Sequence, residues 1–316
     1  PKLARWIWLG KRTTPKVFTL LWKFGLKLFK HAPAVTPSLS VADLFRPLLG
    51  DESVAHLLTP GLQGIYATAA TELTALSLWP QLENLAPTRY IKVLRLIKGA
   101  RARSMSFPTG MQELIDALAK SIKGDIHLNY DRPFEMRPNT LICTEAPTAV
   151  SLLQDHWPEG AAALRSIQYL PIASVTIHSA NTLPWSQSGF GVLFPRDQKI
   201  SALGCLFNHS IFPQRVQGAA QTSCTFVLND TLAPVEVVQA DLSKLGWILR
   251  PLVTQEHSYA VGLPCYNEAR WSAIRTLHAS TTRPEGLVLF GNYVAGIGLR
   301  EMIAAATSFV GEMGVE

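Results

Sequence analysis

The feature that most constrains the fold is a run of four short segments in the second half of the chain: ASVTIHSA (173–180), GFGVLFP (189–195), SALGCLFN (201–208) and SCTFVLN (223–229). Each is alternating or apolar over the length of a strand, and Gly, Pro and Asn separate them, the signature of consecutive short strands. Around this run the pattern changes. MQELIDALAKSI (111–122) is an amphipathic helix opened by Gly110, and IHLNY (126–130) and TLICTEA (140–146) read as strands. Residues 235–249 and 267–277 read as helix, GLVLFGNYVAG (286–296) as strand then turn, and residues 297–313 as a closing helix. Helix–strand alternation combined with antiparallel-like strands specifies an α/β (α+β) architecture.

The first third is different again. Residues 1–103 hold fifteen Lys/Arg against five Asp/Glu, and no acidic residue precedes Asp43. KVFTLLWKFGLKLFKH (16–31) has helical periodicity, with Lys16, Lys23, Lys27 and Lys30 within one narrow arc and Phe18, Leu21, Trp22, Leu28 and Phe29 opposite. Further helices are expected at Val41–Leu49, 52–58 and 89–98. A basic, amphipathic segment of this kind either covers its own domain or lies on an anionic membrane surface. The basic residues accompany a thick apolar face, not an aromatic-interleaved stripe, so nucleic acid is not an expected partner.

The four cysteines are scattered without a Cys-x-x-Cys pair, and the eight histidines have no metal-ligand spacing, so neither a disulfide framework nor a metal site is expected. Ser166–Pro195, the longest stretch free of Asp, Glu, Lys and Arg, is full of Ser, Thr, Pro and Gly and reads as strands and turns, not as a spanning helix. The chain opens on Pro1, from which an upstream segment is expected.

Three segments carry chemistry. In Gly291-Asn292-Tyr293-Val294-Ala295-Gly296-Ile297-Gly298-Leu299, small residues at a strand-to-helix turn let backbone approach a ligand, and free N–H groups at the helix start favour negative charge. Gly110-Met111 opens a helix in the same way. In Gly189-Phe190-Gly191-Val192-Leu193, two glycines leave an aromatic ring free to face a ligand, although a core phenylalanine in a hairpin has the same pattern. No Ser-His-Asp, paired-carboxylate or metal constellation stands out, so no catalytic side chain is assigned.

The order of these segments resembles the protoporphyrinogen oxidases of the flavin amine oxidase superfamily. The succession runs from ARWIWLGK (4–11), DESVAHLL (51–58) and TPGLQGIYA (59–67) through FxxGMxxLxxAL (107–118), YLPIASVTI (169–177), GFGVLFP and LGCLFNHSIFP (203–213) to GNYVAGIGL (291–299), and so covers essentially the whole chain. The resemblance implies a flavin amine-oxidase-like fold: an FAD-domain remnant plus a mixed-sheet substrate domain and a helical membrane-associated domain. Residues 1–103 would be the helical domain, 104–155 part of the FAD-binding domain, 156–283 the mixed-sheet substrate domain and 284–316 the C-terminal part of the FAD-binding domain. It implies oxidation of protoporphyrinogen IX or coproporphyrinogen III to the porphyrin with FAD and oxygen in heme biosynthesis. It also implies a cytoplasmic protein, peripheral to the inner face of the membrane, with a homodimer left open.

Carried over residue by residue, the resemblance assigns Arg5 to a substrate propionate. Gly64, Phe190, Leu193 and Val227 line the tetrapyrrole pocket, Val227 standing where a methionine is often found. Gly110, Met111, Gly291, Asn292, Gly296, Ile297, Gly298 and Leu299 fall to the cofactor. The family's opening strand and GxGxxG are not in this sequence, which leaves two readings: a fragment of the enzyme, or a non-catalytic relic that binds a tetrapyrrole or another protein. A carotenoid desaturase-like relative is a third, disfavoured by GFGVLFP and the arginine of ARWIW.

Overall fold

The computed structural model describes residues 25–98, 105–130, 133–183, 189–216, 218–229 and 231–312. Their apolar side chains gather into three main hydrophobic clusters, one helical, one built on a parallel strand pair and one under an antiparallel sheet.

In the helical part, Val41–Leu49 starts at a capped N-terminus: the Ser40 hydroxyl accepts from the Asp43 amide at 2.9 Å and donates to the Asp43 carboxylate at 2.7 Å. Val41, Leu44, Phe45 and Leu48 then fall on the buried face. The next helical stretch runs further than the expected 52–58. It begins at Asp51–Ser53, passes through a π-turn at Val54–Leu58 and continues as Thr59–Tyr66. Tyr90–Ile97 packs back on this layer, and the buried Tyr90 hydroxyl donates to the Leu44 carbonyl at 2.7 Å. Of the basic segment expected as a helix over 16–31, residues 16–24 lie outside the described residues. Of its described residues only 25–27 are helical, because backbone bonds from Tyr90 to Lys30, Ile91 to Leu28 and Ala32 to Thr88 pull the chain into turns there.

The second cluster surrounds β1 (Leu141–Ile142) and β7 (Val288–Leu289), a parallel pair. Helices Ala146–Leu153, Pro158–Arg165 and Glu268–Ala279 cover it. The first two were not expected from the sequence. Trp157 is buried between them, and its indole N–H points at the hydroxyls of Ser280 and Thr282 at 3.3 and 3.2 Å.

The third cluster lies under a five-stranded antiparallel sheet ordered β3 (Gly191–Leu193), β4 (Gly204–Leu206), β5 (Thr222–Leu228), β2 (Tyr169–Ser179) and β6 (Pro251–Pro264). Alternate residues Ala173, Val175 and Ile177 of β2 and Cys224, Phe226 and Leu228 of β5 point inward, and Val238 and Leu242 of helix Pro234–Leu245 cover them. Within that helix Asp241 is fully buried. Its carboxylate accepts from the Ser201 amide at 2.9 Å, the Ala202 amide at 2.8 Å and the Lys244 ammonium at 3.0 Å, so the buried charge is satisfied.

β6 is the longest strand and was not anticipated. Among the described residues it pairs only with β2, and its first eleven residues are exposed. Conversely, IHLNY is not a strand. Ile126, Leu128 and Tyr130 are exposed and no neighbouring strand accepts their backbone. The helix after Gly110 forms at Gln112–Ser121, but none of its residues is buried.

Candidate functional site

Helix Thr59–Tyr66 meets the open face of β3, β4 and β5, and a cavity of about 300 Å³ lies between them. Gly61, Gly64 and Ile65 form one wall. Phe190, Leu193, Leu206 and Val227 form most of the other, with no charged side chain in the lining. Four of the five residues expected in the substrate pocket therefore come together from positions 64, 190, 193 and 227. Arg5 lies outside the described residues. Ile65 and Leu206, on opposite walls, also line the cavity and were not anticipated, since a lone apolar residue on a helix or strand carries no signal of which surface it faces.

The local chemistry explains the shape. Phe190 is 71% exposed, so the reading of it as a core phenylalanine does not hold. Its flanking glycines let β3 run against β4: a methyl group at Gly191 would collide with the Cys205 carbonyl oxygen and come within 3.2 Å of the Leu206 Cα. Across the cavity, a methyl at Gly64 would sit 2.6 Å from Leu193 Cδ2, so the two walls are already in contact there. Ile65, Phe190, Leu193 and Leu206 make an exposed apolar surface of the kind that marks a ligand site.

The glycine turn at the end of the chain is placed differently. After β7 a helical turn, Asn292–Ala295, intervenes before Gly296, so the strand does not deliver Gly296–Leu299 directly to helix Leu299–Glu312. Gly291 and Gly296 have φ of 155° and 124°, conformations that favour glycine. The Glu301 side chain lies over Gly296 and Gly298 in the first turn of the helix, where it meets the positive end of the helix dipole.

A buried polar array braces this turn. Arg270, 5% exposed, bonds to the Ser77 carbonyl at 3.3 Å, the Ser77 hydroxyl at 3.1 Å and the Val294 carbonyl at 3.4 Å. Its guanidinium lies 4.1 Å from the centroid of the Tyr266 ring. The Tyr266 hydroxyl donates to the Asn292 carbonyl at 2.6 Å. Among the described residues no carboxylate is within ion-pair range of Arg270. Burial lowers its pKa, and burial also pushes the phenols of Tyr66 and Tyr266 up, with the Arg270 charge pulling both the other way.

Gly110 and Met111 sit elsewhere. The segment before them is held by Arg215, which donates to the Ser106 hydroxyl at 2.9 Å and to the carbonyls of Phe107 and Pro108. Neither glycine turn lines the cleft of Phe190 and Leu193. The four expected pocket residues are thus brought together in one cavity. Among the described residues no group of His, Cys, Asp and Glu could hold a metal ion, and no helix is long and apolar enough to cross a membrane.

No family model matches the chain. The chain is similar to a chloroplastic protoporphyrinogen oxidase of Nicotiana tabacum, 24% identical over 87% of this chain and 61% of that protein. It is also similar to the chloroplastic protoporphyrinogen oxidase 1 of Arabidopsis thaliana, 23% identical over 84% of this chain and 61% of that protein. It thus spans about three fifths of the length of these curated relatives. Among solved structures, one assigned as a protoporphyrinogen oxidase from Exiguobacterium sp. 255-15 superposes with a TM-score of 0.69 at 19% identity, covering 96% of this chain and 73% of that one. Taken with the cleft and the mixed sheets, these likenesses show a protoporphyrinogen-oxidase-like flavin amine oxidase fold.

Proposed function

We propose that this chain carries the porphyrinogen-binding face of an FAD-dependent oxidase that converts protoporphyrinogen IX or coproporphyrinogen III to the porphyrin, with oxygen as acceptor. The observation that carries this reading is the assembly of Gly64, Phe190, Leu193 and Val227 into one apolar cleft. Flat apolar walls suit a tetrapyrrole ring, Phe190 offering a face to stack on and the glycines of the wall admitting close approach. Arg5 is proposed to meet a propionate at the rim through a charge-assisted hydrogen bond.

Bound flavin supplies the oxidising chemistry in such an enzyme. The residues here fit the ring end of that group in part. Gly291 and Gly296 give the turn a backbone path that favours glycine, and the Tyr266–Asn292 bond holds it in place. Gly291, however, is buried against the Tyr293 ring, and the Glu301 side chain lies over Gly296 and Gly298. What the chain's own residues do is hold the tetrapyrrole, keep water from its faces and fix its edge. Peripheral membrane attachment through Lys16, Lys23, Lys27 and Lys30, the domain divisions at 103, 155 and 283, and a homodimer belong to the same proposal.

One observation favours a second reading, a tetrapyrrole-binding module without catalysis: the pocket residues converge, while the Glu301 side chain lies over Gly296 and Gly298. Two titrations of the purified chain separate the readings. Saturable binding of coproporphyrin III with a shifted Soret band, together with a flavin visible band retained after added FAD is removed, supports the oxidase. Porphyrin binding without retained flavin supports the module, and no porphyrin binding refutes both.

A further inference from the structure

The cleft has two walls from distant parts of the sequence, and something must set their separation. Directly behind the point where Gly64 meets Leu193 lies Gln63, only 2% exposed. With its carboxamide oriented by its hydrogen bonds, the Gln63 oxygen accepts from Arg196 Nε at 2.7 Å and from Nη2 at 3.1 Å. Arg196 opens the short helix Arg196–Gln198, three residues beyond Leu193 on the opposite wall. Thus the residue next to Gly64 grips the residue that continues from β3. A second contact runs in parallel, His56 Nδ1 to Asp197 Oδ2 at 3.7 Å, but both side chains are about half exposed and such a pair holds weakly.

We infer that Gln63 and Arg196 are positioning residues that fix the width of the cleft and thereby its affinity for the flat ligand it takes. This rests on the porphyrinogen reading for the identity of the ligand, not for the existence of the pin. Burying a carboxamide is costly unless it is bonded, and a leucine of similar reach would pack there more simply. What the carboxamide adds is direction: two N–H···O bonds converging on one oxygen hold one distance and one angle, whereas apolar contact tolerates sliding. Among the described residues no carboxylate is in ion-pair range of Arg196, so its fork is spent on this contact. Neither residue lines the cleft itself, so both act on the ligand through Gly64 and Leu193.

The test compares the full chain with Gln63→Leu, Arg196→Leu, the double variant and Gln63→Glu, using coproporphyrin III titration, thermal melting and amide hydrogen exchange over 59–66 and 189–196. Each leucine variant is expected to bind about tenfold more weakly, with faster exchange confined to those two segments. The double variant should lose no more than the worse single, because the same contact is broken in all three. Gln63→Glu should stay within about threefold of the parent, since a carboxylate accepts the same two donors. Parent-like exchange in both single variants overturns the inference, as do unchanged affinities, additive losses or a Gln63→Glu as weak as Gln63→Leu. If the parent binds no porphyrin but the leucine variants show the local exchange change, the ligand reading falls and the pin stands.

Discussion

Two glycine-to-alanine changes at the same cleft should behave in opposite ways. At Gly191 the added methyl meets β4 backbone, the Cys205 carbonyl and Leu206 Cα, and β4 is itself paired to β5, so nothing can yield. Overpacking of this kind costs about 2–3 kcal/mol, and the stiffer unfolded chain returns about 0.4–1, leaving roughly 1–2.5 kcal/mol of net destabilisation. At Gly64 the methyl meets only Leu193 Cδ2 and its neighbours on that side chain, which can turn away. Alanine also improves a helical position by about 0.8–1 kcal/mol over glycine. Gly64→Ala should therefore hold or raise stability, while the displaced Leu193 fills the cleft and weakens porphyrin binding by about tenfold, or 1.4 kcal/mol. Urea denaturation at unchanged m-value measures the first quantity and Soret titration the second. Equal destabilisation of both variants would refute the reasoning, as would a Gly64→Ala protein that binds like the parent.

Phe190→Ala should change stability by less than about 1 kcal/mol, because the ring is already exposed, yet cost about 1.5–3 kcal/mol of porphyrin affinity by titration. Asp241→Ala strands the Ser201 and Ala202 amides and should lower unfolding free energy by about 3 kcal/mol in urea. The Ser280 and Thr282 hydroxyls on Glu159 hold its carboxyl below the usual range. A depressed folded pKa stabilises above the unfolded value and loses that contribution as pH falls through the folded one. The melting temperatures of the parent and Glu159→Gln should therefore differ at neutral pH and converge in acid. Co-sedimentation should favour anionic over neutral vesicles and fade with salt if the lysine-rich segment meets lipid, and equal, negligible binding to both would remove that proposal.

Apolar alternation marked β2 and β5 because one face of each is buried, and the GFGVLFP signal survived because glycine beside an aromatic is informative even without a partner. The same logic explains the failures. PLVTQEHSYAVGLP (251–264) lacks alternation since the first eleven residues of β6 are exposed, and among the described residues its ladder runs to β2 alone. Residues 126–130 show the converse, a strand-like composition with nothing to pair. Helices Ala146–Leu153 and Pro158–Arg165 are short, and their many alanines blur the apolar stripe. At the site, Phe190 and Gly64 could be read from local pattern and resemblance. Gln63 and Arg196 could not, because a polar pair 133 positions apart leaves no trace in either segment.

The uncovered strand β6 also bears on how the protein behaves in a test tube. Fourteen residues of extended backbone present a row of amide donors and acceptors that, among the described residues, has no partner on its outer side. Leu252, Val253, Tyr259 and Val261 add apolar surface, and Glu256 and His257 are its only ionisable side chains apart from Tyr259. Near neutral pH that leaves a single formal charge to keep two such strands apart, while the prolines at both ends limit how far a second strand could zip. Concentrated stocks should thus be prone to clouding, and a glutamate at Thr254, which adds a second negative charge beside Glu256, is the simplest change to keep them clear.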